Sequence, residues 1–153
     1  MTEPVPPSQL TAHLGYWLRY VSNHVSQAFA RKVEREGVTV AEWVVLRELY
    51  DAGEISPSRL AERLGLTRGA ISKLAERLLA KALIARRDDP DDARAQRLAL
   101  TESGRALTPR LSALADQNDA EFFDHLTEAE RRTVEQVMRQ VVERRGLKAP
   151  PVS

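Results

Sequence analysis

The sequence predicts a mainly α-helical chain with a small β-hairpin wing: a winged helix-turn-helix with N- and C-terminal dimerisation helices. Three observations predict it. Apolar residues recur at spacings of three and four through most of the 153 residues, the period of half-buried helices. Residues 55–79, ISPSRLAERLGLTRGAISKLAERLL, read as two short helices joined by a tight turn. Directly after them the period falls to two, in ALIARR and QRLALT, on either side of the polar loop DDPDDARA. The expected organisation is one domain over residues 1–153, with the winged helix-turn-helix at about 39–101 and dimerisation helices at about 8–36 and 102–145.

Composition narrows the function. Hydrophobic residues make up 42 % and charged residues 29 %, an ordinary globular balance. There is no cysteine, which excludes a disulfide framework, a thiolate metal site and a thiol redox sensor. The first ten residues, MTEPVPPSQL, have neither the basic region nor the apolar run of a signal peptide. The longest aliphatic-aromatic run, residues 43–46, is far too short to span a membrane. A cytoplasmic protein with no membrane partner is expected. Net charge is +1, but residues 56–97 hold ten cations against six anions, leaving the rest of the chain acidic. A basic middle in an acidic frame suits a nucleic-acid footprint.

Residues 1–7 are proline-rich and are expected to lack regular structure. A long helix is predicted from Ser8, with Leu10, Leu14, Trp17, Leu18, Val21, Val25, Ala28, Phe29 and Val33 as its apolar positions. The near-seven spacing of Leu10, Trp17 or Leu18, Val25 and Val33 suits a seam against another helix. Gly37 ends it. Thr39 followed by Glu42 is a capping box, opening a helix through Val40, Val44, Leu46, Leu49 and Tyr50 that stops at Gly53. Residues 54–56 are predicted as a short strand. Ser56 caps the next helix, Pro57 suits its first turn, and Leu60, Ala61 and Leu64 share one face. Gly65 supplies the left-handed residue that ends it. Thr67 caps the helix that follows, whose apolar stripe is Ile71, Leu74 and Leu78. In the second wing strand, Leu98 and Leu100 alternate with Arg97 and Ala99. Thr101 caps a helix through Leu107, Leu111, Leu114, Phe122 and Phe123, in which Pro109 is expected to make a kink or a break. Thr127 with Glu130 forms a second capping box, for a last helix through Val134, Val137, Met138, Val141 and Val142. The first helix and the last two carry apolar stripes outside the compact winged module, so burying them calls for a second copy.

The functional reading comes from the helix capped by Thr67. Opposite its apolar stripe it carries Arg68, Gly69, Ser72, Lys73, Glu76 and Arg77. Small residues near its start let the backbone approach a groove wall, and the cations beyond reach phosphates and guanine edges. That is the pattern of a recognition helix in the DNA major groove. The expected duplex-DNA contacts are Ser56, Thr67, Arg68, Ser72, Lys73 and Arg77. Arg86 and Arg97, on the wing strands, are expected to meet flanking phosphates, and Arg94, at the wing tip, to enter an A·T-rich minor groove. Asp92, two residues before Arg94, is expected to hold the loop backbone or that guanidinium. Taken alone, residues 55–79 also suit a packed helical hairpin with a solvated charged face; the wing that follows weighs against that.

Residues 55–104 resemble the MarR family of bacterial transcriptional regulators. The most specific part is DPDDARAQRLALTESG, in which Asp92 and Arg94 match the family's wing Asp-x-Arg, and Leu100, Thr101 and Gly104 match its Leu-Thr…Gly ending. The resemblance implies a homodimer whose winged modules are held by intertwined terminal helices. It implies a repressor that binds a pseudo-palindromic operator and releases it when a small, often aromatic, ligand binds between the dimer helices and the winged module. Trp17, Tyr20, His24, Trp43 and Arg47 are pocket candidates on the helices that line the cavity in relatives. Arg47 suits the carboxylate of an aromatic acid, or simply a surface acid. Trp17 and Trp43 also read as core aromatics. Pro109 departs from the family pattern, and the absence of cysteine separates this chain from the family's thiol-oxidation sensors.

Other classes fare worse. There is no glycine-rich phosphate loop, no Cys/His pair and no nucleophile elbow. The carboxylates of Asp88, Asp89, Asp91 and Asp92 suit a solvated turn better than a metal or acid/base site. No enzymatic activity, cofactor or metal is expected. A winged helix used only for protein contacts would lack a basic recognition face. A metal-sensing regulator of the same fold would draw on His13, His24 and His125; the first two share a helical face, but no close His/Glu/Asp cluster surrounds them.

Overall fold

A computed structural model describes residues 2–92 and 95–148. Within them, a 3-10 turn at Leu10–Ala12 precedes α1 (Leu14–Glu34), α2 (Val40–Ala52), β1 (Glu54–Ile55), α3 (Pro57–Leu64), α4 (Arg68–Ala80), β2 (Ile84–Asp88), β3 (Gln96–Leu100), α5 (Glu102–Phe123) and α6 (Glu128–Arg145). Most helix starts are written locally. Thr39 and Thr127 form complete capping boxes with Glu42 and Glu130. The side chains of Ser56, Thr67 and Thr101 accept the N–H groups of Arg59, Ala70 and Gly104. The exception is α1, which starts at Leu14 rather than Ser8. His13 is extended there and supplies no side-chain cap, so the segment before it forms only a 3-10 turn.

The core lies where α2, α3 and α4 meet the sheet. Leu46, Leu49, Leu60, Ile71, Leu78 and Leu98 are buried together, and Val33 of α1 and Leu111 of α5 reach the same cluster. The sheet has the order β1-β3-β2 and is antiparallel throughout. Glu54 faces Ala99 across one pairing, and Ile84 faces Leu100 across the other. The central position of β3 overrides the expected alternation: Leu98, Ala99 and Leu100 are all buried, the small Ala99 being screened by a strand on each side.

Pro109 does not break α5, which runs unbroken from Glu102 to Phe123. Proline removes one N–H, leaving the Arg105 carbonyl without its usual donor, but both halves of the helix stay anchored. Its first half carries buried Gly104, Thr108 and Leu111, and its second half carries buried Asn118. Trp17 is not a core residue: it is half exposed on α1, with its indole N–H donating to the Thr11 carbonyl at 3.0 Å. The first half of α1 is exposed over Leu14, Trp17, Leu18 and Val21, and nothing in α6 is buried.

Candidate nucleic-acid interface and effector cavity

The recognition helix is held by one face and open on the other. Ile71, Leu74, Ala75 and Leu78 of α4 are buried, while Arg68, Gly69, Ser72, Lys73, Glu76 and Arg77 are exposed along the opposite side. Thr67 stands at the start of this row, its hydroxyl accepting the Ala70 N–H at 3.1 Å. Ser56 is occupied similarly at the start of α3, taking the Arg59 N–H at 3.2 Å. The far end of α4 is tied down by an ion pair that sequence reasoning missed. Lys81, its C-cap, reaches Glu42 of α2 at 2.8 Å, and Glu42 is fully buried. Burial favours the neutral acid, but the Lys81 ammonium and the N–H and hydroxyl of Thr39 more than offset it. The Glu42 carboxyl therefore sits below the ordinary glutamate range.

Acids engage three cations of the wing strands. Arg86 pairs with Glu76 of α4, Arg87 with Glu54 of β1 at 3.1 Å, and Arg97 with Asp89 at 3.3 Å. Asp89 organises the hairpin loop: its Oδ1 accepts the Asp91 N–H at 2.9 Å while Oδ2 takes the Arg97 Nε–H. The Asp91 N–H chiefly, with the Arg97 guanidinium, holds its carboxyl below the usual range. Asp92 contributes backbone bonds, to the Asp89 carbonyl and from the Ala95 N–H. The signal for Asp89 was present in the Asp-Pro pair, since an aspartate at a turn commonly accepts the N–H two residues on. Arg94 lies outside the described residues.

The pocket candidates do not converge. A cavity of about 290 Å³ opens between α1, α2 and α5, lined by Val25, Ser26, Phe29, Val40, Trp43, Val44, Ala115, Asn118 and Asp119. Of the five candidates only Trp43 lines it, with its ring edge-to-face with Phe29 at 6.3 Å. Trp17, Tyr20 and His24 instead form a ladder along the exposed side of α1, with centroids 6.5 and 5.4 Å apart. Arg47 pairs with Asp51 at 2.9 Å and lines a separate groove with Tyr50, Pro109 and Ser112. Trp43 and Arg47, four residues apart, share a side of α2 but stand one turn apart along it, and each opens onto a different stretch of α5: Ala115 and Asn118 for Trp43, Pro109 and Ser112 for Arg47. The buried polar wall is Asn118, which donates to the Val25 carbonyl and accepts from Lys32 at 3.0 Å. Nothing in the local pattern marks that pair, which is 86 residues apart. Among the described residues, no three His, Asp or Glu side chains are placed to hold a metal ion, and no helix is long and apolar enough to cross a membrane.

A helix pair with a basic outward face, followed by a β-hairpin that completes a three-stranded sheet with β1, defines a winged helix-turn-helix DNA-binding protein. Comparison with known proteins agrees. A family model described as "MarR family" matches residues 36–95. The HTH-type transcriptional repressor MdtR of Bacillus subtilis is 30 % identical over 122 residues, covering 80 % of this chain and 79 % of that one. The structure of a mutant of Escherichia coli MarR complexed with operator DNA superposes with a TM-score of 0.76 at 25 % identity, covering 84 % of this chain and 93 % of that one. A structure addressing regulation of DNA binding of Bordetella bronchiseptica BpsR by 6-hydroxynicotinic acid also has a TM-score of 0.76, at 28 % identity over 89 % and 97 % of the two chains. The chain belongs to the MarR family of transcriptional regulators.

Proposed function

We propose that the protein is a homodimeric repressor of the cytoplasm that binds a pseudo-palindromic duplex operator and is released by a small aromatic ligand. The observation that carries the DNA reading is the exposed row Arg68, Ser72, Lys73 and Arg77 on a helix whose other face is wholly buried. Thr67 and Ser56 supply contacts at two helix starts. Phosphates compete with Glu76 and Asp89 for Arg86 and Arg97, and Arg94, steadied by Asp92, enters the minor groove. The exposed stripes of α1 and α6 support a dimer, which sets two half-sites about 10 bp apart. The test is operator binding by an Arg68→Ala/Lys73→Ala/Arg77→Ala variant. Loss of Arg68 from a guanine costs about 1–3 kcal/mol and relaxes sequence preference, whereas loss of a phosphate contact weakens all duplexes alike and flattens the salt dependence. Unchanged affinity in the triple variant overturns the placement of this helix.

The effector reading rests on the aromatic walls of the α1–α2–α5 cavity, Phe29 and Trp43. An aromatic acid finds its hydrogen-bonding groups in Ser26 and Asn118, with the Lys32 ammonium behind Asn118, rather than in Arg47. Titration with 6-hydroxynicotinic acid and a panel of phenolic and aromatic acids is expected to quench tryptophan fluorescence in the parent but not in Trp43→Phe, and to weaken operator binding. Reciprocity requires the free protein to bind such a ligand more tightly than the DNA complex does.

A further inference from the structure

The C-cap of α4 carries a charge committed to other elements of the fold. The Lys81 ammonium donates to both carboxylate oxygens of Glu42, at 2.9 and 2.8 Å, and to the Gly37 carbonyl at 2.8 Å. Glu42 Oε1 also accepts the Thr39 N–H at 3.0 Å. The end of the recognition helix, the first turn of α2 and the turn between α1 and α2 therefore meet at one nitrogen. We infer that Lys81 is a positioning residue for sequence reading: it sets the tilt of α4 by pinning that helix to Glu42 and Gly37, without itself touching DNA. The inference rests on α4 being the reading helix.

The geometry explains why a pin is needed. The 13 residues of α4 make a rod about 20 Å long. Its first turns carry Thr67, Arg68 and Ser72, and the pin holds the opposite end. A tilt of about 5° about that end moves the first turn by about 2 Å, enough to break hydrogen bonds to base edges. The apolar contacts of Ile71, Leu74 and Leu78 hold the helix down but are non-directional. Three acceptors around one ammonium are directional, and they engage the Lys81 ammonium with carboxylate and carbonyl groups of other elements.

The test uses the full chain. The parent selects a preferred duplex from a random-sequence pool, and its affinity is compared with that for a scrambled duplex across a salt series. Lys81→Met leaves the buried Glu42 carboxylate unpaired and is destabilising, so Lys81→Met/Glu42→Gln, which removes both charges, is measured beside it. In both variants, affinity for the selected duplex is expected to fall about tenfold, the worth of one well-placed base contact. Affinity for the scrambled duplex and the salt slope are expected to stay at parent values, with dimer and helix content intact. Parent selectivity in the folded double variant overturns the inference, because it makes the pair a stabilising contact alone. Equal losses on both duplexes with a flatter salt slope overturn it too, because they make Lys81 a phosphate contact. If the parent enriches no duplex, the reading of α4 itself fails and takes this inference with it, a result distinct from the other two.

Discussion

Gly104 and Ala82 lie on two sides of one backbone contact. A Cβ at residue 104 would stand 2.0 Å from the Leu83 carbonyl oxygen, so the first turn of α5 rests directly on the turn leaving α4. Thr101 closes the contact, its Oγ1 donating to the Ala82 carbonyl at 2.7 Å and accepting the Gly104 N–H at 3.1 Å. Gly104→Ala must push these segments apart and is expected to cost about 3 kcal/mol, seen as a lower denaturation midpoint. Ala82 shows the opposite mismatch. Its φ of 57° is left-handed although it carries a Cβ, at a cost of about 1 kcal/mol or more. Ala82→Gly relieves that strain and gives part of it back as unfolded-chain entropy. A net gain of about 0.5 kcal/mol is expected, or a rise of about 1–2 °C in the thermal midpoint. A fall would show that the Ala82 methyl contributes more packing than its backbone strain costs.

At the scale of elements, the contact between α2 and α4 has a pH signature. The Glu42 carboxyl is held below its ordinary value of 4.5 when folded. A group whose folded value is depressed stabilises the native state above its unfolded value and loses that contribution as pH falls through the folded one. The thermal midpoint of the parent should exceed that of Glu42→Gln at pH 7, with the gap closing below about pH 4.5. The comparison isolates Glu42 from Asp89, Glu121 and Glu130, which are also lowered but remain in both proteins. A gap that persists at low pH would assign the effect to packing rather than charge. Helix α5 makes a related point: anchoring at Leu111 and Asn118 on either side of its break-prone residue keeps it continuous through Pro109.

At the scale of the molecule, the single chain leaves too much apolar surface in water. Leu14, Trp17, Leu18 and Val21 of α1 and Val134, Val137, Met138, Val141 and Val142 of α6 are all at least 42 % exposed. Contiguous apolar stripes of this kind mark an interface. Sedimentation at micromolar concentration is expected to give the mass of two chains, and Val137→Glu/Val141→Glu to shift it toward one. On the proposed reading a pseudo-palindromic operator is met by two recognition helices, so that variant should also lose operator affinity with α4 itself unchanged. A stable monomer in the parent would leave the terminal helices without the proposed role.

The sequence by itself determined every element whose cause is local. Thr39, Ser56, Thr67, Thr101 and Thr127 announce helix starts because a cap needs only the next three residues. The two faces of α4 were legible because burial follows the helical period, and the wing because two strand-like runs flank a turn-forming Asp-Pro loop. Tertiary structure decided the rest. Lys81 and Glu42 are 39 residues apart, and no spacing rule joins a helix C-cap to the third residue of another helix. Trp17 and Trp43 look alike in the sequence, yet one lies on an open stripe and the other on a cavity wall, because only the second sits where α1, α2 and α5 converge. Periodicity fixes which side of an element turns inward; what that side meets depends on packing angles between distant segments, which no local pattern encodes.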